Sequence, residues 1–401
     1  MNILFLAHRI PYPPNKGDKL RAFNEIKFLS KNNAVDVCTL IDDPDDRQYV
    51  ESLQTYCRNL ETVYIHSKPK KILSLTSLLS ATKTCTESYF YSKDLQKKID
   101  TLIAKNSYDV IFLYCSSMKS YIGDDISIPI VIDFVDIDSD KWLQYAKYAR
   151  WPVSVVYRQE GKKLARLERK ILKEVEASFF VTDLEVRLFA SNEERLTVHG
   201  IANGIDFSFF NRDKTPDNQD LADRKYICFT GAMDYFPNED GVEYFVQSIL
   251  PKIWKQEPEL EFLIVGRNPT PRVQKLACHE KITVTGPVDD IRPYIKHSLC
   301  AVTPLRMARG IQNKILEAMA MGIPVVATSN AHEGLMMRNG KDMWVEDDSA
   351  VFAQHVIDLV RDQDTRQKMV AAAFGVLKKW YDWSTNLARM EKILSDVIER
   401  S

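Results

Sequence analysis

The sequence predicts an α/β protein built from two doubly wound parallel-sheet domains. Three observations carry that expectation. Apolar runs such as "NILFLA", "DVIFLYC", "YICFTGAM" and "EFLIVG" are near-continuous rather than alternating, as in strands covered on both faces. Segments of helical period separate these runs in both halves of the chain. A polar stretch with no apolar period, "NRDKTPDNQDLADRKY", parts the two sets near residues 211–225. The 401 residues, 45% hydrophobic and 27% charged, are of ordinary globular composition and suffice for two or three domains.

The elements follow in order. "NILFLA" is a first strand, ended by the Pro-rich loop "HRIPYPPNKGD". A helix follows, with Leu20, Phe23, Ile26, Phe28 and Leu29 near helical spacing. "AVDVCTLI", "TVYIH", "DVIFLYC" and "PIVIDFVD" are further strands. The charged segment after them is helical, with Leu164, Leu167, Ile171 and Val175 on one face, and it leads to strands in "ASFFVT" and "LTVHGIANG". In the second half "YICFTGAM", "EFLIVG", "ITVTG", "LCAVTPL" and "IPVVATS" alternate with helical segments, and the remainder is mostly helix. Ligands of such sheets bind beyond the carboxyl ends of the strands, so each domain is expected to offer loops to a shared central cleft.

Several functions are excluded. A net charge of -1 argues against a general nucleic-acid binder. The seven cysteines are odd in number, scattered and without a C-x-x-C pair, which suits free thiols in a reducing cytoplasm. The first apolar run is too short for a signal peptide, and no stretch approaches the ~20 apolar residues of a spanning helix. A soluble or peripheral, cytoplasmic protein is expected. "DIDSDKW" resembles a calcium loop but has Lys141 where Gly is needed and Lys147 where Glu is needed, so no metal site is assigned. The first loop lacks G-x-G-x-x-G, so no nicotinamide or flavin cofactor is assigned.

Candidate site residues lie at strand ends. In the first loop, Gly17 allows close approach of a ligand to a helix N-terminus, flanked by Lys16 and Arg21. Asp133, Asp136, Asp138 and Asp140 crowd a strand end, where they either cap the next helix or, in at least one case, accept a proton or bind a hydroxyl-rich ligand. From Lys141 to Glu176 there are ten Lys/Arg and four Asp/Glu, interleaved with Trp142, Tyr145, Tyr148, Trp151 and Tyr157. That mixture reads as contact with a membrane surface; the plainer reading is a solvated helix face. In the second half, Gly231, the Gly before Arg267, and the turn at Val288 end three successive strands, where backbone N–H groups can meet a phosphate. "RMARGIQNKILEAMAMGIPVV" then opens a helix near Gly310–Ile311. Arg306, Arg309 and Lys314 bring cations to its positive end, and Glu317, one turn deeper, can accept two hydrogen bonds from a vicinal diol. A phosphate clamp beside a diol acceptor describes a nucleotide site.

"KILEAMAMGIPVVAT" closely resembles the signature of retaining glycosyltransferases of the GT-B fold, family 4. The resemblance extends through "IANGID", "FTGAMDYFPN", "ITVTGPVDD" and a final "W" segment that in the family returns to the N-terminal domain. "HRIPYPPNKGDKLRAF" and "DFVDIDSDKW" look like a subgroup associated with bacterial PEP-CTERM and exopolysaccharide export systems. The resemblance implies an acceptor-binding domain at 1–205 completed by 382–401, and a donor-binding domain at 206–381. It implies metal-independent transfer of a sugar from a nucleotide diphosphate sugar, with retention, to a lipid-linked or other glycan acceptor. Glu317 matches the family's ribose-binding glutamate. The family's sugar-contacting glutamate falls on Arg309, and its basic pair after the first strand of the second domain is missing from "AMDYFPNED". Arg309 and Lys314, with Arg267, are the candidate replacements; Gly231, Val288, Gly310 and Ile311 complete the donor site. The family's histidine in the first domain falls near Val135 and Asp136, so Asp136 joins Arg309 and Lys314 as a catalytic candidate. Rival readings are a non-catalytic nucleotide-sugar-binding scaffold and a GT-B nucleotide-sugar 2-epimerase. Donor sugar, base, acceptor, linkage and oligomeric state are not legible.

Overall fold

The computed structural model describes residues 1–14, 17–190 and 197–401, which form two compact units: Met1–Ile201 with Ser384–Ser401, and Ala202–Trp383. Each is a parallel sheet wound on both faces by helices.

The first sheet contains β1 (Asn2–Ala7), β2 (Ala34–Ile41), β3 (Asn59–Tyr64), β4 (Val110–Tyr114), β5 (Ile130–Val135), β6 (Ala177–Phe180) and β7 (Val198–Gly200). Their order is β3-β2-β1-β4-β5-β6-β7. The middle strands β1 and β4 are buried almost throughout, whereas the edge strand β3 is half-exposed. This explains why the central strands are continuous apolar runs and why β3 extends to Asn59, well before the apolar "TVYIH". Leu4, Leu6, Ile111, Leu113 and Ile132 form part of the core between sheet and helices.

The second sheet contains β8 (Tyr226–Thr230), β9 (Glu261–Val265), β10 (Ile282–Val284), β11 (Ala301–Thr303), β12 (Val325–Ala327) and β13 (Trp344–Val345), ordered β10-β9-β8-β11-β12-β13. Strand order reverses between β8 and β11 here, and between β1 and β4 in the first sheet. At such reversals the following crossovers part to opposite faces and leave a crevice beyond the strand ends.

The polar stretch near 211–225 lies inside the second unit and is no free linker. Lys296 Nζ donates to Thr215 O at 3.0 Å, and Arg292 Nη1 to Phe209 O at 3.0 Å. The side chains of a neighbouring helix satisfy backbone that the apolar pattern leaves unaccounted for. Within the second unit, Ile205 N donates to Tyr381 O at 2.8 Å, which brings its first and last stretches side by side. The helix Trp383–Arg400 ends the chain in the first unit, where Leu387, Met390 and Leu394 are buried and Asn33 Nδ2 donates to Glu391 Oε1 at 2.7 Å.

The basic, aromatic segment is a helical hairpin, Asp138–Tyr148 and Val153–Leu172. Trp142, Tyr145 and Tyr157 pack on one another with ring centroids 5.0–6.3 Å apart, so three of the five aromatics fill the hairpin's own seam. The aspartates do not cap its first helix. Glu168, from the second helix, accepts from Ser139 N at 3.0 Å and from its hydroxyl. Burial of Glu168 raises its pKa to about 8.

Candidate functional site

The strongest candidate lies at the strand reversal of the second sheet. Thr230 ends β8, and the chain turns at Gly231 with φ +153°. Gly266 ends β9 with φ +151°, and a Cβ on it would stand 1.8 Å from Gly231 O. Gly266 is therefore demanded by the contact of the two turns with each other. Gly231 N donates to Val265 O at 3.0 Å, and Gly266 N to Thr285 Oγ1 at 3.3 Å. The Gly231 and Gly266 amides are thus spent on neighbouring strands, which leaves any phosphate donors at these turns to other residues. What Gly231 supplies is room. A Cβ there would lie 3.0 Å from Lys314 Nζ and 2.7 Å from Asn238 Nδ2.

Lys314 reaches that room from the helix Asn313–Ala320. The helix begins two to three residues later than the sequence suggests, because Gly310 adopts φ +64° and Gln312 is extended. Gln312 caps the helix with no side-chain hydrogen bond, so the first-turn amides have no side-chain partner there. Lys314 Nζ donates to Asn238 Oδ1 at 2.6 Å and sits 4.0 Å from the ring centroid of Phe229. Asn238 is itself fixed by donating to Ala232 O at 2.9 Å. Burial pulls the Lys314 pKa down to about 7, against the opposing charge of Glu317. Burial raises Glu317 to about 7, against the charge of Lys314. Glu317 accepts no hydrogen bond among the described residues. One helix thus carries, one turn apart, an ammonium and a carboxylate that both change charge near neutrality.

The other predicted residues divide. Arg267 is held beside the β8 turn by the bond from Met233 N to Arg267 O, 2.8 Å, and its guanidinium has no hydrogen bond or ion pair among the described residues. Val288 lines a surface cleft of about 400 Å³ with Asn218, Thr285, Asp290 and Tyr294. Ile311 is buried. Arg306 pairs with Asp240, and Arg309 Nη1 donates to Glu333 Oε1 at 2.8 Å. The position where the resembled family has an acid thus holds an arginine bound to an acid from the loop after β12.

Three candidates belong to the first unit. Asp136 follows Val135, whose φ of +67° is a strained conformation for a β-branched residue. Burial raises the Asp136 pKa to about 6, opposed by Lys141 and reinforced by Asp138. Gly17 is exposed at the start of the helix Gly17–Leu29. Arg21 is fully buried, paired with Asp133 and Glu25, and donates to Ile201 O at 2.7 Å. That burial makes Arg21 a clamp between the first helix and β5, which in turn orients the loop carrying Asp136: Asp133 Oδ1 accepts from Val135 N at 2.8 Å. Lys16 lies outside the described residues.

Sequence reasoning missed Asn238 and Glu333. Each contacts a predicted residue through a pairing far apart in the chain, 76 and 24 positions, which no local pattern reports.

Residues 224–362 match the family model of glycosyl transferases group 1. A curated protein of Klebsiella pneumoniae, named an uncharacterized 44.6 kDa protein in the cps region, is 23% identical over 164 residues; these are 39% of this chain and 42% of that protein, so the match spans about two fifths of the relative. Among solved structures, sucrose-phosphate synthase of Thermosynechococcus elongatus superposes with TM-score 0.74 at 16% identity, covering all of both chains. Anabaena HepE in complex with UDP and glucose superposes with TM-score 0.69 at 14% identity, over 99% of this chain and 100% of that one. A glycosyltransferase of Rickettsia africae superposes with TM-score 0.67 at 14% identity, over 100% and 99%. The structural likeness carries the GT-B architecture, and the group 1 match supports a glycosyltransferase.

Proposed function

We propose that the protein transfers a sugar from a nucleotide diphosphate sugar to an acceptor hydroxyl, as a retaining, family 4 enzyme of glycan assembly. One observation carries the reading: at the strand reversal, Lys314 Nζ points into the space that Gly231 leaves open, at the uncapped end of a helix carrying Glu317 one turn deeper. The second unit is then the donor domain. Lys314, the first-turn amides and Arg267 take the diphosphate, and Glu317 accepts from the ribose hydroxyls. The HepE structures hold UDP or UDP-glucose, which makes UDP the first probe. The relative's cps region favours a polysaccharide product, and we place the work at the cytoplasmic membrane face on a lipid-linked acceptor.

In the reaction the bond between sugar C1 and the diphosphate oxygen breaks, and a bond from C1 to the acceptor oxygen forms on the same face. The leaving diphosphate gains charge, and fixed cations with helix-end amides stabilise it without a metal. Sugar charge develops as in an oxocarbenium ion. The acceptor proton goes to Asp136, whose raised pKa of about 6 makes it a stronger base than an ordinary aspartate while leaving it mostly ionised at pH 7. Arg309 joins the diphosphate by leaving Glu333.

Turnover of nucleotide sugars with lipid-linked acceptors, in chelator, tests the reading. Acceptor-dependent release of nucleoside diphosphate supports it. Binding of donor with neither transfer nor slow hydrolysis favours a scaffold instead, and epimerised donor without acceptor favours the epimerase.

A further inference from the structure

Four large apolar side chains of the first unit stand in water on one short stretch. Ile72 is 72% exposed, Leu73 61%, Leu75 47% and Leu79 93%. They belong to the helix Ser67–Ser74 and the turn Leu75–Leu79. The helical hairpin adjoins this stretch: Gln159 Nε2 donates to Leu78 O at 3.0 Å, and Lys163 Nζ to Ser77 O at 2.8 Å. Val155, exposed, lies one turn before Gln159 on the same helix side. Trp151, 82% exposed, and Val153 follow at the hairpin tip. Two segments distant in sequence, joined by these bonds, therefore carry apolar side chains that the described residues of the unit leave exposed.

Its surroundings are cationic. Residues 67–86 contain no carboxylate, and residues 141–167 contain only Glu160. Glu160 is buried and accepts from Cys85 N at 2.8 Å and Thr86 N at 2.9 Å. Lys68, Lys71, Lys83, Lys147, Arg150 and Arg158 are exposed and form no ion pair among the described residues. In a chain of net charge -1 this is a strong local excess. A second copy would bring like charges together. An anionic lipid surface complements both features at once.

We propose that this surface docks the protein on an anionic bilayer, with Leu79, Ile72 and Trp151 entering the headgroup boundary and the cations facing lipid phosphates. The inference stands apart from the transfer reading, since vesicle binding is measured without turnover.

The test is co-sedimentation of the full chain with phosphatidylcholine vesicles, alone or with about a third phosphatidylglycerol. Partition to the anionic vesicles only, weakened by salt, is expected. Removing charge in Lys68→Gln/Lys71→Gln/Arg158→Gln lowers partition roughly fivefold per residue. Leu79→Ser/Trp151→Ser lowers it by about tenfold or more at low salt, and thermal melts stay unchanged because these side chains are almost wholly exposed. Absence of partition, or variants that partition like the parent chain, overturns the proposal. So does a concentration-dependent doubling of mass that Leu79→Ser abolishes while vesicles are ignored; a second copy would then cover the surface.

Discussion

Lys314 holds its ammonium against Asn238 and the Phe229 ring, where burial disfavours its charge. Its folded pKa, about 7, lies below the ordinary 10.5, so the unfolded chain binds more protons between those values and stability rises with pH across that window. Glu317, raised from 4.5 to about 7, contributes the opposite slope: its stability is full below 4.5 and is lost as pH rises to 7. The pair is thus least favourable to the empty protein near neutrality. Replacing Lys314 by Met is expected to raise the thermal midpoint at pH 7 while weakening nucleoside diphosphate binding roughly tenfold to a hundredfold, since a charge-assisted contact of about 1.5–3 kcal/mol is lost. Calorimetric melting and titration of the same sample check both halves. Binding should also carry protons: uptake above pH 7 as the diphosphate recharges Lys314, and release below pH 7 as ribose hydroxyls favour ionised Glu317. Isothermal titration in buffers of different ionisation enthalpy reads the sign. Lys314 and Glu317 were legible in the sequence because one helix carries both. The Arg309–Glu333 pair was not, because its partner comes from another loop.

At the scale of elements, continuous apolar runs located the central strands, where burial on both faces leaves no alternative pattern. The edge strand β13 and the short helix Cys85–Phe90 escaped, and β3 reads three residues short, since half-exposed residues carry a weak period. The glycine turns were visible but their role was not: a glycine needed for an approaching ligand and one needed for an approaching turn look alike until Gly231 O is seen against Gly266. The hairpin gave the reverse case, its aromatics marking an internal seam. Glu168 ties that hairpin together and makes a prediction. Its pKa is raised from 4.5 to about 8, so its contribution is full below 4.5 and declines as pH rises through 8, at most about 1.4 kcal/mol per unit. Glu168→Gln keeps an acceptor for Ser139 and should flatten that decline. Chemical denaturation at pH 5 and pH 8.5 compares the slopes.

For the whole molecule, two sheets with paired strand reversals place one set of candidate residues on each unit. The chain's last helix is the element that completes the first. Leu387, Met390, Leu394 and Val397 are buried by it, at about 1.5–3 kcal/mol for each large side chain, a sum comparable with the whole stability of a domain. Deleting residues 384–401 should therefore unfold the first unit and spare the second, seen as loss of one of two calorimetric transitions.

In the proposed transferase, the strand reversal of the second unit holds a nucleoside diphosphate through Lys314 and Glu317. Titration of UDP, and then of the other nucleoside diphosphates, into the full chain and into Lys314→Met and Glu317→Gln at pH 7 tests it most directly. Saturable binding of at least one of them is expected, weakened roughly tenfold or more by either substitution with folding retained. Binding of none, or equal binding by Lys314→Met, would contradict it.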